Sequence, residues 1–144
     1  MKDIIFIGDR IKELISEKGI DVKTLAKNIG LNQNVVYRWL KHYTSIKLSN
    51  LIKLSDYFNC SIEYLSGRCD YEEFFTPKNA PPFSESLRQI LKKKNITVYK
   101  ILKDTIISSA AFHKWFNGAE PQLDTLIILA DYLGCTIDTL IGRE

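Results

Sequence analysis

Apolar side chains recur at every third or fourth position along most of the chain, which is the spacing of amphipathic α-helices. In the first half, residues 8–68, this spacing and the residues that punctuate it predict five short helices. Gly19 and Gly30 are expected to end the first two of them. The expected N-caps are Asp9, Asp21, Asn32 and Ser61, and the expected core positions include Leu14, Leu25, Val36, Trp39 and Leu54.

The same pattern occurs a second time further along the chain. Segment 48–68 recurs as segment 123–143 with about half of the positions identical, and Trp39 upstream matches Trp115. Each copy contains its own complete set of core positions. We therefore predict an all-α protein of two tandem five-helix domains, the first covering residues 1–68 and the second residues 83–144.

The segment between the copies, residues 69–82, has no helical period, and its three prolines oppose a continuous helix. It is predicted to be a linker. Because it is acidic and aromatic instead of rich in glycine and serine, its aromatic side chains could pack on one of the domains. These side chains are Tyr71, Phe74 and Phe75.

The tract Val22–Trp39 predicts a helix-turn-helix, in which two helices of about eight residues are joined at Gly30. Gly30 can adopt the positive φ of such a turn, and Val36 and Trp39 would anchor the second helix to the core. The side chains left facing away from the core are Gln33, Asn34, Tyr37 and Arg38. Gln and Asn can pair with adenine and Arg with guanine in the major groove; the alternative is a merely solvated helix surface.

On these residues the chain resembles the phage lambda repressor/Cro family, also called the xenobiotic-response-element type. The resemblance rests on Leu25-Ala26, on Gly30-Leu31-Asn32 and on the corner from Cys60 to Leu65, and it extends to the second copy. It implies that the third helix enters the major groove. The base-reading residues so implied are Gln33, Asn34 and Arg38, with Tyr37 beside them, and the phosphate-binding residues are Lys23, Asn32, Lys41 and Lys47.

The second copy departs from this pattern. Ile106 stands where the first copy has Gly30, which puts the turn in doubt. The candidate DNA contacts there are Ser108, Ser109, His113 and Lys114, with Ala110 between them. These offer at most single or unspecific contacts, so the first copy is expected to carry most of the base reading. In both copies an apolar residue, Leu40 or Phe116, occupies a position that is usually charged in the family, and it is expected to be exposed or covered by the linker or a partner.

Charge supports nucleic acid as the partner of the first copy. The net charge is +4 for residues 1–68, −2 for residues 69–82 and +1 for residues 83–144. No apolar stretch approaches the roughly 18 residues of a membrane span, so no membrane association and a cytoplasmic location are expected. The three cysteines are read as reduced thiols, and no motif indicates a cofactor, a metal, a small-molecule ligand or catalysis.

The leading hypothesis is a transcriptional regulator that binds double-stranded DNA sequence-specifically, most simply a repressor, and not an enzyme. The alternative is an antitoxin-like protein-interaction module built on the same scaffold, with secondary DNA binding. One reading helix contacts few bases, so either two chains form a homodimer, which we favour, or the two copies act as an intramolecular pseudo-dimer. The 14-residue linker could span up to roughly 45 Å, and half-sites lie roughly 34 Å apart.

Overall fold

The computed structural model describes residues 6–41, 45–70, 75 and 78–143. Within these residues the regular elements are ten α-helices, five in each copy of the repeat. The chain divides into two compact units, Met1–Pro77 and Lys78–Glu144. The all-helical fold with two tandem domains is therefore as predicted, and each unit is described by itself below.

The first unit contains five helices, and its predicted core residues all lie buried. The helices are α1 (Ile7–Lys18), α2 (Val22–Ile29), α3 (Gln33–Leu40), α4 (Leu48–Phe58) and α5 (Ile62–Leu65). The buried residues include Leu14, Leu25, Val36, Trp39 and Leu54, one or two from each of the first four helices. Helix α3 packs against both α1 and α2, so the core holds it from two sides.

Three of the four predicted N-caps are confirmed. The Asp21 carboxylate accepts a hydrogen bond from the Thr24 N–H at 2.8 Å, and Asn32 and Ser61 cap α3 and α5 in the same way. Hydrogen bonds from the side chain and backbone of Thr24 lower the pKa of Asp21. The Asp9 prediction is wrong, because α1 already begins at Ile7. Asp9 lies in the first turn instead, where its charge favours the positive end of the helix.

The second unit repeats this arrangement. Its helices are α6 (Phe83–Lys94), α7 (Val98–Asp104), α8 (Ser109–Phe116), α9 (Leu123–Leu133) and α10 (Ile137–Leu140). The counterparts of the first core are again buried, and they are Ile90, Ile101, Phe112, Trp115 and Leu129. Phe112 replaces Val36, and its ring lies edge-on to Trp115 with centroids 5.0 Å apart. The second core is thus built around a larger aromatic cluster.

Both ends of the predicted linker are held by buried arginines of the domain that they adjoin. Arg10 of α1 donates to the Cys69 carbonyl at 3.3 Å, and its guanidinium lies 4.0 Å from the centroid of the Tyr64 ring. Arg143, only 1% exposed, donates from Nε to the Lys78 carbonyl at 2.9 Å. Phe75 is half-buried, whereas Tyr71 and Phe74 lie outside the described residues. All three cysteines lie within the described residues, and they are thiols and not disulfides.

Leu40 and Phe116 do not form exposed apolar patches. Leu40 is buried. Phe116 is half-buried, stacks on Phe112 with ring centroids 6.3 Å apart and carries the Arg88 guanidinium 4.7 Å from its own centroid. Phe116 is therefore covered by residues of its own domain, and neither side chain is left as an exposed apolar surface.

A tyrosine ties the second helix to the fourth in both domains, but with different chemistry. In the first domain the Tyr57 hydroxyl accepts from the Asn28 amide at 3.0 Å. In the second the Tyr132 hydroxyl donates to the Asp104 carboxylate at 2.6 Å. This hydrogen bond, more than the neighbouring Lys100, lowers the pKa of Asp104, and it raises the pKa of Tyr132. The second link therefore contributes stability that depends on pH.

We expect the stability lost on Tyr132→Phe to depend on pH. The lowered pKa of Asp104 means a contribution that is present above its ordinary value of 3.8 and is lost as pH falls through the lowered value. The raised pKa of Tyr132 means a contribution that is present below its ordinary value of 10.0 and is lost as pH rises through the raised value. Urea titrations at several pH values, followed by the tryptophan fluorescence of the two domains, measure it.

The matched control is Tyr57→Phe, which removes a bond to the neutral amide of Asn28 and should show no acid limb. A loss for Tyr132→Phe that is the same at pH 3 and pH 7 would contradict the linkage.

Candidate nucleic-acid interface

The turn between α2 and α3 is formed by Gly30 in the left-handed conformation, with φ 76° and ψ 31°. Side chains other than glycine rarely adopt this conformation, and Gly30 adopts it in the three-residue connection between α2 and α3. The Leu31 N–H then reaches back to the Ala26 carbonyl at 2.9 Å and closes the end of α2. Ala26 itself is buried. The two helices therefore form the predicted helix-turn-helix.

Helix α3 has one buried face and one exposed face. Val36, Trp39 and Leu40 lie in the core. The exposed residues are the four predicted base readers, Gln33, Asn34, Tyr37 and Arg38. Their spacing places them on one stripe of the helix, because residues three and four apart are neighbours on a helix surface. Tyr37 is 44% exposed, so its ring is accessible beside the three polar side chains.

The four predicted phosphate ligands are also exposed, and they lie at the ends of helices. Lys23 is in the first turn of α2, Lys41 ends α3, and Lys47 immediately precedes α4. The Asn32 side-chain oxygen accepts from the Asn34 N–H at 2.8 Å, so only its amide NH₂ is suited to donate to an anion. His42, the residue after Lys41, lies outside the described residues.

The second domain builds its turn from threonine instead of glycine. Helix α7 ends at Asp104, and Thr105 is extended with φ −130°. The Thr105 hydroxyl donates to the Ile101 carbonyl at 2.8 Å and accepts from the Ile107 N–H at 3.2 Å. Ile106, at the position of Gly30, needs no positive φ and projects into solvent with 88% of its surface exposed. The second domain therefore keeps the turn between its second and third helices although Ile106 replaces the glycine of the first domain.

The exposed face of α8 is chemically poorer than that of α3. Ser109, Ala110, His113 and Lys114 are all exposed. Ser108 is occupied as the N-cap, accepting from the Ala111 N–H at 3.2 Å. Asn117 takes the place of Lys41 after the helix. This face carries one permanent positive charge, on Lys114, and its exposed positions lack the Arg, Gln and Asn side chains of the α3 stripe.

Comparison with known families agrees with this geometry. Two stretches of the chain, residues 10–66 and 86–144, each match the family model of the Cro/C1-type HTH DNA-binding domain. The chain belongs to this family. A search of curated proteins found no match.

The two Cro/C1-type domains identify the protein as DNA-binding and carry the helix-turn-helix in both copies. Sequence reasoning missed the role of Thr105 in the second of these domains. The signal was present, because a threonine four residues after Ile101 can return its hydroxyl to that carbonyl and end a helix. Within the described ranges, no helix is both long and apolar enough to cross a membrane.

Asn32 offers a test that separates capping from DNA contact in the first Cro/C1-type domain. Asn32→Asp should leave the free energy of unfolding nearly unchanged, since aspartate caps as well as asparagine, whereas Asn32→Ala should cost about 1 kcal/mol. Asn32→Asp should nevertheless weaken duplex binding, because it adds a negative charge where we expect a phosphate. Urea denaturation and gel retardation measure the two effects.

The matched variant is Ser108→Asp in the second domain, which places the same charge at the equivalent cap. Wild-type affinity in Asn32→Asp would remove Asn32 from the phosphate-binding set.

Proposed function

We propose that this protein is a transcriptional regulator that recognises a specific duplex sequence, most simply a repressor that occludes a promoter. The observation that carries the proposal is the exposed stripe on α3, where Gln33, Asn34 and Arg38 stand on the helix that follows the turn. In helix-turn-helix proteins the second helix lies in the major groove with its N-terminal residues at the base edges. The stripe has the position and the chemistry for that role.

Each side chain of the stripe has a distinct task in this proposal. Arg38 would donate two hydrogen bonds to guanine, and Gln33 or Asn34 would pair with adenine. Within the described part of the chain Arg38 makes no ion pair, so its donors are available. Tyr37 would lie against the groove wall beside them. The residues that would hold the phosphates and set the register of α3 are Lys23, Asn32, Lys41 and Lys47.

The base reading is assigned mainly to the first domain. The small side chains of α8 and its single lysine, Lys114, support a lesser role for Ser108, Ser109 and His113 as occasional contacts. The difference in charge between residues 1–68 and 83–144, +4 against +1, points the same way.

We further propose that the protein binds its site as a homodimer. A single reading helix contacts three or four base pairs, which is too few for a useful specificity ratio, and two-fold pairing supplies a second half-site. The intramolecular pseudo-dimer is the competing arrangement. Selection of binding sites from a random duplex library distinguishes them, since a palindromic site and a dimeric mass by light scattering support the homodimer.

Arg38→Ala should reduce affinity for the selected site by about 1 to 3 kcal/mol and relax the preference at one base pair, because it removes a bidentate guanine contact. Lys41→Ala should weaken all sequences similarly and lower the slope of log affinity against log salt by about one unit. Titrations of duplex at several salt concentrations measure both.

Lys114→Ala is the matched control, because Lys114 holds the position of Arg38 on the second reading helix. A larger loss of affinity for Lys114→Ala than for Arg38→Ala would mean that the second domain, and not the first, carries most of the base reading. A wild-type protein that selects no sequence would overturn the proposed function itself.

A second candidate function, a protein-interaction module, rests on one observation in the second domain. Tyr99 and Ile106 are 75% and 88% exposed; Tyr99 stands where the first domain has the predicted phosphate ligand Lys23, and Ile106 stands where it has the turn residue Gly30. Large apolar side chains at that exposure are typical of a protein contact when they lie together.

Ile106→Ser should leave the DNA affinity of the protein unchanged if it serves a protein contact, and it should change the mass measured by light scattering or the binding of a partner. The control is Ile52→Ser, which makes the same change at a half-buried position in α4 of the first domain. A loss of DNA affinity in Ile106→Ser with no change in association would argue against this second candidate.

A further inference from the structure

Three consecutive lysines end the first helix of the second domain. Lys92, Lys93 and Lys94 form the last turn of α6, and all three are exposed. Among the described residues none of their ammonium groups is in an ion pair. Lys100 nearby differs, since its Nζ lies 3.2 Å from the Asp104 carboxylate. The three lysines are the densest run of like charge in the chain.

The repeat shows that this charge is not required by the fold. The equivalent positions of the first domain are Ser16, Glu17 and Lys18, whose net charge is zero. Lys18 is engaged there, with its Nζ 4.5 Å from the centroid of the Tyr57 ring. The same helix end thus carries zero charge in one domain and +3 in the other. This difference is opposite to that between α3 and α8, because there the first domain has more side chains suited to reading bases.

The three lysines lie beside the helix-turn-helix of their domain. Asn95 ends α6 in the left-handed conformation with φ 56°, and Thr97 caps α7, so a turn of three residues joins the two helices. Helix α7 is the first helix of the helix-turn-helix, which in this motif crosses the DNA backbone. The lysines at the end of α6 are only three residues from the start of α7. Their positive charges would therefore lie close to the DNA phosphates that α7 crosses.

We propose that Lys92, Lys93 and Lys94 bind the phosphates of duplex DNA, so that the second domain is a sequence-independent anchor for the base-reading first domain. This proposal rests on the proposed function. Lysine is a compact point charge that suits phosphate, and contacts to phosphate carry no sequence information. Successive residues are about 100° apart around a helix, so two of the three ammonium groups can face one phosphate backbone at once.

The test is the triple variant Lys92→Gln, Lys93→Gln, Lys94→Gln in the full chain. It should lower affinity roughly tenfold or more near 0.1 M salt and reduce the slope of log affinity against log salt by roughly two units. The loss should be equal on the selected duplex and on a scrambled duplex of the same length, because phosphates are common to both. Circular dichroism confirms that the variant is folded.

The matched control is Lys12→Gln, Lys53→Gln, Lys78→Gln, which removes the same charge from three exposed positions elsewhere. An equal loss in both triple variants would mean that only net charge matters and would overturn the proposal. A loss confined to the selected duplex would also overturn it.

The reciprocal variant, Ser16→Lys with Glu17→Lys, installs the lysine run at the same helix end of the first domain. It should steepen the salt dependence. If wild type binds duplex and neither the triple variant nor the reciprocal one changes the slope, the anchor proposal fails while the proposed function stands. If wild type binds neither duplex, both fail together.

Discussion

Both domains depend on the burial of one side of the third helix in the domain core. In the first domain Val36 and Trp39 make this contact, and in the second Phe112 and Trp115 make it. Losing a buried tryptophan side chain costs about 3 to 5 kcal/mol, which is a large part of the 5 to 15 kcal/mol that stabilises a typical domain. Once that side is buried, the opposite side of the helix is exposed and its direction is set.

This constraint explains why the two copies keep one fold and differ at the surface. Substitutions on an exposed helix face usually change stability by less than about 0.5 kcal/mol, so the stripe on α3 and that on α8 can diverge freely. The turn can diverge too when another residue closes the helix end. Gly30 does so with its backbone, and Thr105 does so with its hydroxyl. The second solution leaves Ile106 outside the core.

The division of charge between the domains follows from the same freedom. Gln33, Asn34 and Arg38 are exposed on the first domain, and an exposed run of three lysines, Lys92 to Lys94, lies on the second. A tethered pair of domains can separate specificity from affinity in this way, because phosphate contacts strengthen binding to any sequence while base contacts discriminate. The Tyr57 and Tyr132 links show a comparable divergence within the scaffold, since one ends on an amide and the other on a carboxylate.

The sequence by itself determined the helical fold, the repeat, three of the four first-domain caps and the exposure of Gln33, Asn34, Tyr37 and Arg38. These features depend on local periodicity and on hydrogen bonds between residues close in the chain, which a sequence displays directly. Contacts between distant residues decided the rest. Four features depend on which surfaces meet when the helices pack. They are the burial of Leu40, the start of α1 ahead of Asp9, and the hydrogen bonds from Arg10 to the Cys69 carbonyl and from Arg143 to the Lys78 carbonyl. Such contacts are chosen by shape and available area in three dimensions, and neither is visible in the spacing of residues along the chain.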